Sequence, residues 1–474
     1  MKKHVVVVGA GQGGLSAAIH LRLKGHQVLV VHDGPVGGKA AAIGTAGYRL
    51  DPGPSIIILP SIYRSVFEAA NRKMDDYLRL RRLDPISRVL FEGQQPIDLP
   101  ADRQQCLDLV REIEPQDRES LATLLDNLDH VAPHIDRSVF SHPYHAAWQL
   151  ADPHLIATAL RFDVRKTYRE LVDGMFGSPL LRAFFYGFPS YGGQTYDSKA
   201  PGALMIPYYM LQDGVYYPDG GVAAIPASFE RLARELGVEF RQGKATGLRK
   251  RNGQITHVEL NDEAIEADAV VSNADRLQVY GWLGRDTNVP PSLSYFTVHW
   301  GVRRELTELE HHTLLIPKDF EKGFEGLYRR REFPEPPIVY LNATSRHDPT
   351  TAPPGCTNLF AVVTSPAQEP HLDWERDQSV YRRRIVEEMA KFGMDLGEID
   401  FERIQTPDTF QSRDGNHRGS LYGPDEAHRL FGGLFPLRCR DEEFKNLFYC
   451  GGSVQPGAGL PMVTLSGKFA AELV

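Results

Sequence analysis

The chain opens on the run His4-Val5-Val6-Val7-Val8, which leads straight into Gly9-Ala10-Gly11-Gln12-Gly13-Gly14. No other feature limits the possible folds as much. A β-branched run of this kind suits a strand buried on both faces of a parallel sheet. Leu15 to Lys24 follows with helical spacing, Gly25 ends it, and Gln27 to Val31 is again β-branched. Strand, glycine turn, helix and strand make a βαβ unit. Within that frame the GxGxxG spacing has a physical reading. Gly9 permits the tight turn, Gly11 lets the backbone approach a pyrophosphate, and Gly14 lets the helix pack closely on the sheet. Ala10 and Gly13 complete the loop, and the helix N-terminus offers N–H groups and a positive dipole to phosphates. The pattern predicts a dinucleotide site.

In such units an acid that hydrogen-bonds a ribose hydroxyl is expected about 20 residues further on. The second strand ends Val30-Val31-His32-Asp33, so His32 holds the expected position and Asp33 comes one residue late. Side chains alternate along a strand, so Asp33 faces away unless the strand has ended, which Gly34-Pro35 suggests. Either Asp33 bends in, or His32 donates to the ribose, or the contact is absent. Val36-Gly37-Gly38-Lys39 follows. A glycine pair and a cation here, Gly38 and Lys39 included, are typical of FAD enzymes of the glutathione-reductase type. Lys39 can place charge near the pyrophosphate. Together the two motifs favour FAD over NAD.

Residues 87–213 carry many helix formers and aromatics and no clear strand alternation, and read as a mostly helical insertion. Helical spacing returns over 225–236. A short strand is expected at 238–240, and three consecutive strands at 247–251, 255–260 and 266–271, with a hairpin turn at Asn252-Gly253. Residues 290–365 read as short strands among Pro-rich loops, and 377–392 as a helix. A strand at 447–450 precedes a second glycine-rich turn and a closing helix from Met462. The domains are therefore interleaved. FAD-binding parts span 1–86, 214–286 and 401–474, around the insertion 87–213 and a substrate-domain sheet at 287–400.

The net charge of −8 argues against nucleic acid as a partner, because phosphate binding needs a basic surface. The four cysteines form no CxxC pair, as expected of free thiols in a reducing, cytoplasmic compartment. No stretch nears ~20 uninterrupted apolar residues, so no transmembrane helix is expected. The first apolar run is a strand and not a signal peptide. His130, His134, His142, His145 and His154 lack metal-ligand spacing, and no metal is expected.

Several further segments resemble the bacterial-type phytoene and dehydrosqualene desaturases, in order and over nearly the whole chain. They are Gly47-Tyr48-Arg49-Leu50-Asp51-Pro52-Gly53-Pro54-Ser55; Tyr216-Tyr217-Pro218-Asp219-Gly220-Gly221; His311-His312-Thr313; Asp348-Pro349 with Ala352-Pro353-Pro354-Gly355; Thr406-Pro407 with Phe410 and Gly419-Ser420; and Gly451-Gly452-Ser453-Val454-Gln455-Pro456-Gly457-Ala458-Gly459-Leu460-Pro461. The resemblance implies an α/β fold: a Rossmann-like FAD-binding domain of the glutathione-reductase/amine-oxidase type, an inserted α+β substrate domain and a helical, membrane-facing subdomain. It implies noncovalent FAD held also by Gly53, Pro54, Ser55, Gly452, Gly457, Gly459, Pro461 and Met462, with the adenine end near Val238 and Asn273. The helix after Pro461 would point its positive end at the flavin.

The implied reaction is dehydrogenation of a C30–C40 carotenoid precursor such as phytoene or dehydrosqualene. The implied partners are the apolar polyene, the cytoplasmic membrane through monotopic attachment, and a quinone or oxygen as electron acceptor. The aromatics Phe176, Phe184, Phe185, Tyr186, Phe188, Tyr191, Tyr208, Tyr209, Tyr216 and Tyr217 read either as a tunnel lining or as ordinary core. The chain departs from the family pattern at His32 and at Gln455, which stands where the family has histidine. Glutamine can hydrogen-bond but cannot carry a proton at neutral pH, so activity suffers if that position relays a proton and is kept if it only braces the turn. No catalytic base is assigned. A related isomerase, saturase or terminal-methyl oxygenase, or a lipid-binding protein without catalysis, stays open as an alternative.

Overall fold

A computed structural model describes residues 2–144, 149, 152–199, 201–261, 263–425 and 437–474. Five parallel strands form the nucleotide-binding sheet in the order Leu447–Tyr449, Ala269–Ser272, His4–Val8, Gln27–His32, Glu239–Gln242. Val5, Val7, Val28 and Val30 pack into one apolar core, and Val6, Val8, Leu29 and Val31 into another. Both faces are covered, which is why the sequence shows an unbroken apolar run there and no alternation.

The two chain ends meet on this sheet. The first helix, Gln12–Leu23, lies against the last, Leu460–Leu473. Ser16 Oγ donates to the Thr464 carbonyl at 2.7 Å, and Gln12 Nε2 to Thr464 Oγ1 at 3.1 Å. A Cβ at Gly467 would overlap the Gly13 carbonyl oxygen, so only glycine lets the helices approach this closely.

The second layer is a seven-stranded sheet in the order Ile399–Gln405, Ser294–Val302, Thr357–Ser365, Val339–Asn342, His312–Ile316, Ser87–Phe91, Ile97–Leu99. Its register aligns Thr297, Val362, Tyr340 and Leu314 in one row across four strands. That row faces the cavity described below. Alternation sends Phe296, Val298, Trp300, Val363 and Leu341 to the other face, into a core shared with Trp374, Tyr381, Ile385 and Met389 of the Trp374–Lys391 helix.

Three expectations are corrected. Residues 87–99 do not begin a helical insertion: Ser87–Phe91 and Ile97–Leu99 join the substrate sheet, and strands of five and three residues are too short to show alternation. The run 266–271 is not one strand. Glu263–Glu266 closes a three-stranded antiparallel sheet, whereas Ala269–Ser272 belongs to the parallel one. The switch falls at Asp268, whose backbone N–H donates to the His4 carbonyl and whose carboxylate accepts from the His4 N–H at 2.7 Å. Finally, Ser294–Val302 and Thr357–Ser365 are nine-residue strands, not short ones, and the substrate sheet runs past residue 400 to Gln405. Among the described residues no helix is long and apolar enough to cross a membrane.

Candidate active site

One cavity of about 1450 Å³ runs from the glycine turns of the parallel sheet to the aligned row of the second sheet. Single small-molecule sites usually occupy ~300–1,000 Å³, so there is room for more than one molecule. Its nucleotide end is built mainly from backbone. The Gly9 N–H donates to the Val31 carbonyl, the Gly37 N–H to Ala10 and the Asn273 N–H to Val8, which fixes the turns around the ends of the strands. Gly9 has φ +99° and Gly459, the residue before the last helix, also +99°, values that favour glycine. The first turns of both terminal helices border the cavity, and their leading N–H groups have no intrahelical partner.

Gly9, Ala10, Gly11, Gly13, His32, Asp33, Gly38, Lys39, Gly53, Pro54, Ser55, Asn273, Gly452, Gly457, Gly459, Pro461 and Met462 all line this cavity. Gly14 and Val238 do not. Gly14 acts one layer back: a Cβ there would overlap the Gly9 carbonyl oxygen, so it sets the helix-to-turn packing. Val238 is buried with Val28 and Val30 immediately before the Glu239–Gln242 strand. Ligands lie at the carboxyl ends of parallel strands, so Gly243, Lys244 and Ala245, past the end of Glu239–Gln242, border the cavity instead. Asn273 clamps the two glycine turns together. Its side chain donates to the Cys450 carbonyl at 3.3 Å and fills the notch left by Gly11, Gly13 and Gly451.

His32 ends the second parallel strand and lines the cavity, with its ring Nδ1 donating to the Gly34 carbonyl at 2.8 Å. That bond leaves Nε2 as the acceptor, the role a carboxylate fills in the usual pattern. Lys39 lies inside the cavity, where desolvation lowers the pKa of its ammonium against the pull of Asp414 and Asp275. Asp275 caps the Arg276–Trp282 helix by accepting from the Leu277 N–H at 2.9 Å, and burial raises the pKa of its carboxyl against that bond and Lys39.

Gln455 is buried and is not among the cavity-lining residues. Its Oε1 accepts from the Tyr144 N–H at 3.1 Å and its Nε2 donates to the Tyr144 carbonyl at 3.2 Å. The amide pairs with both main-chain groups of one residue as a neighbouring strand would, so glutamine serves here as a brace. Of the aromatics singled out, Phe184, Phe188, Tyr191 and Tyr209 line the cavity; Phe176, Phe185, Tyr186, Tyr208, Tyr216 and Tyr217 do not. Among the described residues no cluster suits a metal; His145 lies outside them.

The sequence reading missed Gln12, Lys244, Gly467 and the row of the second sheet. Gly467 carried a signal, because glycine inside a helix costs up to about 1 kcal/mol and persists where packing demands it. Gln12 lines the cavity with a buried Oε1 that has no protein partner.

The family model for flavin containing amine oxidoreductases matches residues 13–474. The chain belongs to that family. It is an FAD-dependent oxidoreductase, and the glycine turns, two helix N-termini and ribose-position imidazole around one cavity fit that cofactor. The enzyme is 29% identical to 4,4'-diaponeurosporene oxygenase of Staphylococcus aureus over all of this chain and 98% of that one. Its fold matches an oxidoreductase from Methanosarcina mazei (TM-score 0.65, 16% identity, 98% of both chains) and cyclohexylamine oxidase from Brevibacterium oxydans (TM-score 0.62, 14% identity, 100% and 98%). The Rossmann-like FAD domain with an inserted substrate domain is thus the shared architecture.

Proposed function

We propose that the enzyme dehydrogenates a long apolar polyene, a C30–C40 carotenoid precursor such as dehydrosqualene or phytoene. The observation that carries this reading is the continuity of the cavity, which passes without a wall from the glycine turns to an apolar sheet face and the aromatics of the inserted helices. FAD held at the glycine turns would supply the oxidising power, as an acceptor for a hydride from an allylic carbon. The chain's own residues do the rest. The row Thr297, Val362, Tyr340 and Leu314 forms a flat floor on which an extended chain can lie. Phe184, Phe188 and Tyr209 line the same cavity and add apolar surface against which such a chain can pack. Ile156, on the Pro153–Arg161 helix, lines the cavity and is also 49% exposed, so this helix marks the mouth. Monotopic attachment of that mouth to the membrane would deliver the substrate directly from lipid, and a quinone or oxygen would reoxidise the flavin.

Expression beside a synthase that makes a C30 or a C40 precursor tests the reading. Pigments with more conjugated double bonds are expected, and unchanged precursor in both strains would refute it. The name of the Staphylococcus relative favours a second reading, oxidation of a terminal methyl group. Strict oxygen dependence with an oxygenated product would select it.

A further inference from the structure

Dehydrogenation releases a proton as well as a hydride, and the cavity is largely apolar. One polar track leads out of it. Ser55, Tyr340 and His312 line the cavity at the seven-stranded sheet. Tyr340 Oη lies 2.8 Å from Ser55 Oγ and 2.6 Å from His312 Nδ1. Behind His312 stand two more imidazoles. The His311 ring is 4.6 Å from that of His312, centroid to centroid, and 5.2 Å from that of His347. His311 is 1% exposed and His312 2%, while His347 is half-buried at the far end, with Arg81, Arg346 and Glu310 around it.

Both ring nitrogens of His311, Nε2 of His312 and Nδ1 of His347 are buried without a hydrogen-bond partner in the protein. Leaving several such nitrogens unpaired in one place costs about 1–3 kcal/mol each. A chain that only needed to fill this space would do better with apolar side chains. Tyr217 packs edge-on against the cluster, 4.7 Å from the His311 ring. The cluster does not suit a metal. The ring spacings lie within reach of a direct N–H···N bond after rotation of either imidazole, or of one bridging water.

We propose that Ser55, Tyr340, His312, His311 and His347 form a relay that carries the proton released in the cavity to solvent beside Arg81. The proposal rests on the dehydrogenation reading. The hydride takes two electrons to oxidised FAD. The neighbouring C–H bond breaks, its electron pair becomes the new C=C bond, and its proton enters at Ser55 or Tyr340. Each hydroxyl passes on its own proton as it accepts the next, so His312 Nδ1 is protonated and Nε2 gives a proton to His311, then His347, then water. Asn342 prepares this direction. Its Nδ2 donates to the His311 carbonyl at 3.0 Å and lies 3.3 Å from His312 Nδ1, which favours the tautomer whose Nδ1 accepts, here from the nearer Tyr340 hydroxyl. Burial, and then His347, lowers the His312 pKa to about 3, so the ring rests neutral between turnovers.

The test uses the full-length FAD-loaded enzyme, anaerobic mixing with a C30 or C40 polyene, and three readouts: the rate of flavin reduction, its solvent deuterium isotope effect, and FAD content. Tyr340→Phe should slow reduction about 100-fold and His311→Phe about tenfold, within the range of general acid–base contributions. FAD content should stay at the wild-type level, and added imidazole should restore part of the rate in His311→Ala. Reduction at the wild-type rate with an unchanged isotope effect in both Phe variants would overturn the relay. Should the wild type reduce no flavin with either polyene, the dehydrogenation reading is what fails. A neutron structure of the FAD-loaded protein then judges the relay. Deuterons linking all five side chains, directly or through water, support it; rings turned away from one another refute it.

Discussion

The two ends of the cavity are made of different material. At the nucleotide end the surface is main chain: glycine turns at 9–14 and 451–459, helix first turns and strand ends. At the substrate end it is side chain: the sheet row through Val362 and the aromatics from the inserted helices. Main chain can come close to a ligand only where a residue lacks Cβ, so the first end admits few sequences. An apolar wall can be built from many combinations of about the right volume, so the second admits many. One end fixes the cofactor, and the other can drift to a new substrate.

The widest contrast should appear on adding bulk. Gly14→Val drives a side chain into the Gly9 carbonyl and is expected to cost at least about 3 kcal/mol, giving unfolded or flavin-free protein in thermal melts and flavin spectra. Phe184→Leu at the other end should keep its flavin. If both variants bind FAD equally well, the comparison breaks.

Next comes the brace beneath the nucleotide end. Burial would raise the Asp441 pKa, but Arg285 at 2.7 and 2.8 Å, the Tyr449 hydroxyl and the Phe444 and Glu443 N–H groups outweigh it and hold the pKa at about 2. A depressed carboxyl stabilises the fold above its unfolded pKa of about 3.9, and this contribution is lost as pH falls through about 2. Asp441→Asn should cost roughly 3 kcal/mol in denaturant melts at neutral pH and flatten the acid limb of stability. An acid limb identical to wild type would show that Asp441 is not the group involved.

A smaller effect is expected at the centre of the substrate row. Val362→Trp should raise KM for the polyene about tenfold, or ~1.4 kcal/mol, with FAD affinity unchanged. A matching loss of FAD would mean that the two ends are not separable. The smallest effect is expected at the ribose position. His32→Glu offers a carboxylate acceptor in place of Nε2 and should tighten FAD by about fivefold, ~1 kcal/mol, in apoprotein titrations. Weaker binding would show that the imidazole is itself the better partner.

The same contrast explains what the sequence revealed. The turn at 9–14, the ribose-position imidazole, Lys39, Ser55 and the turn at 452–462 were legible because each needs a particular residue type at a particular place. Val238 was misplaced because a strand's start and end look alike in sequence, while ligands gather only at the carboxyl end. The strand 87–91 escaped notice because its partner His312–Ile316 lies more than 200 residues away, and the three residues 97–99, which pair with 87–91, are too few to show alternation. Of ten aromatics, four reached the cavity, since an aromatic contributes equally well to a core or to a wall. Gln455 left two readings open in the sequence, a lost proton carrier or a turn brace, and the paired bonds to Tyr144 favour the brace.

The central claim is that flavin and polyene share one cavity and react there. Anaerobic titration of the FAD-loaded enzyme with a C30 polyene, followed by flavin absorbance and analysis of the polyene, tests it directly. The account predicts that one flavin is reduced for each double bond gained. A polyene that binds with its carbon skeleton unchanged while the flavin stays oxidised would contradict it.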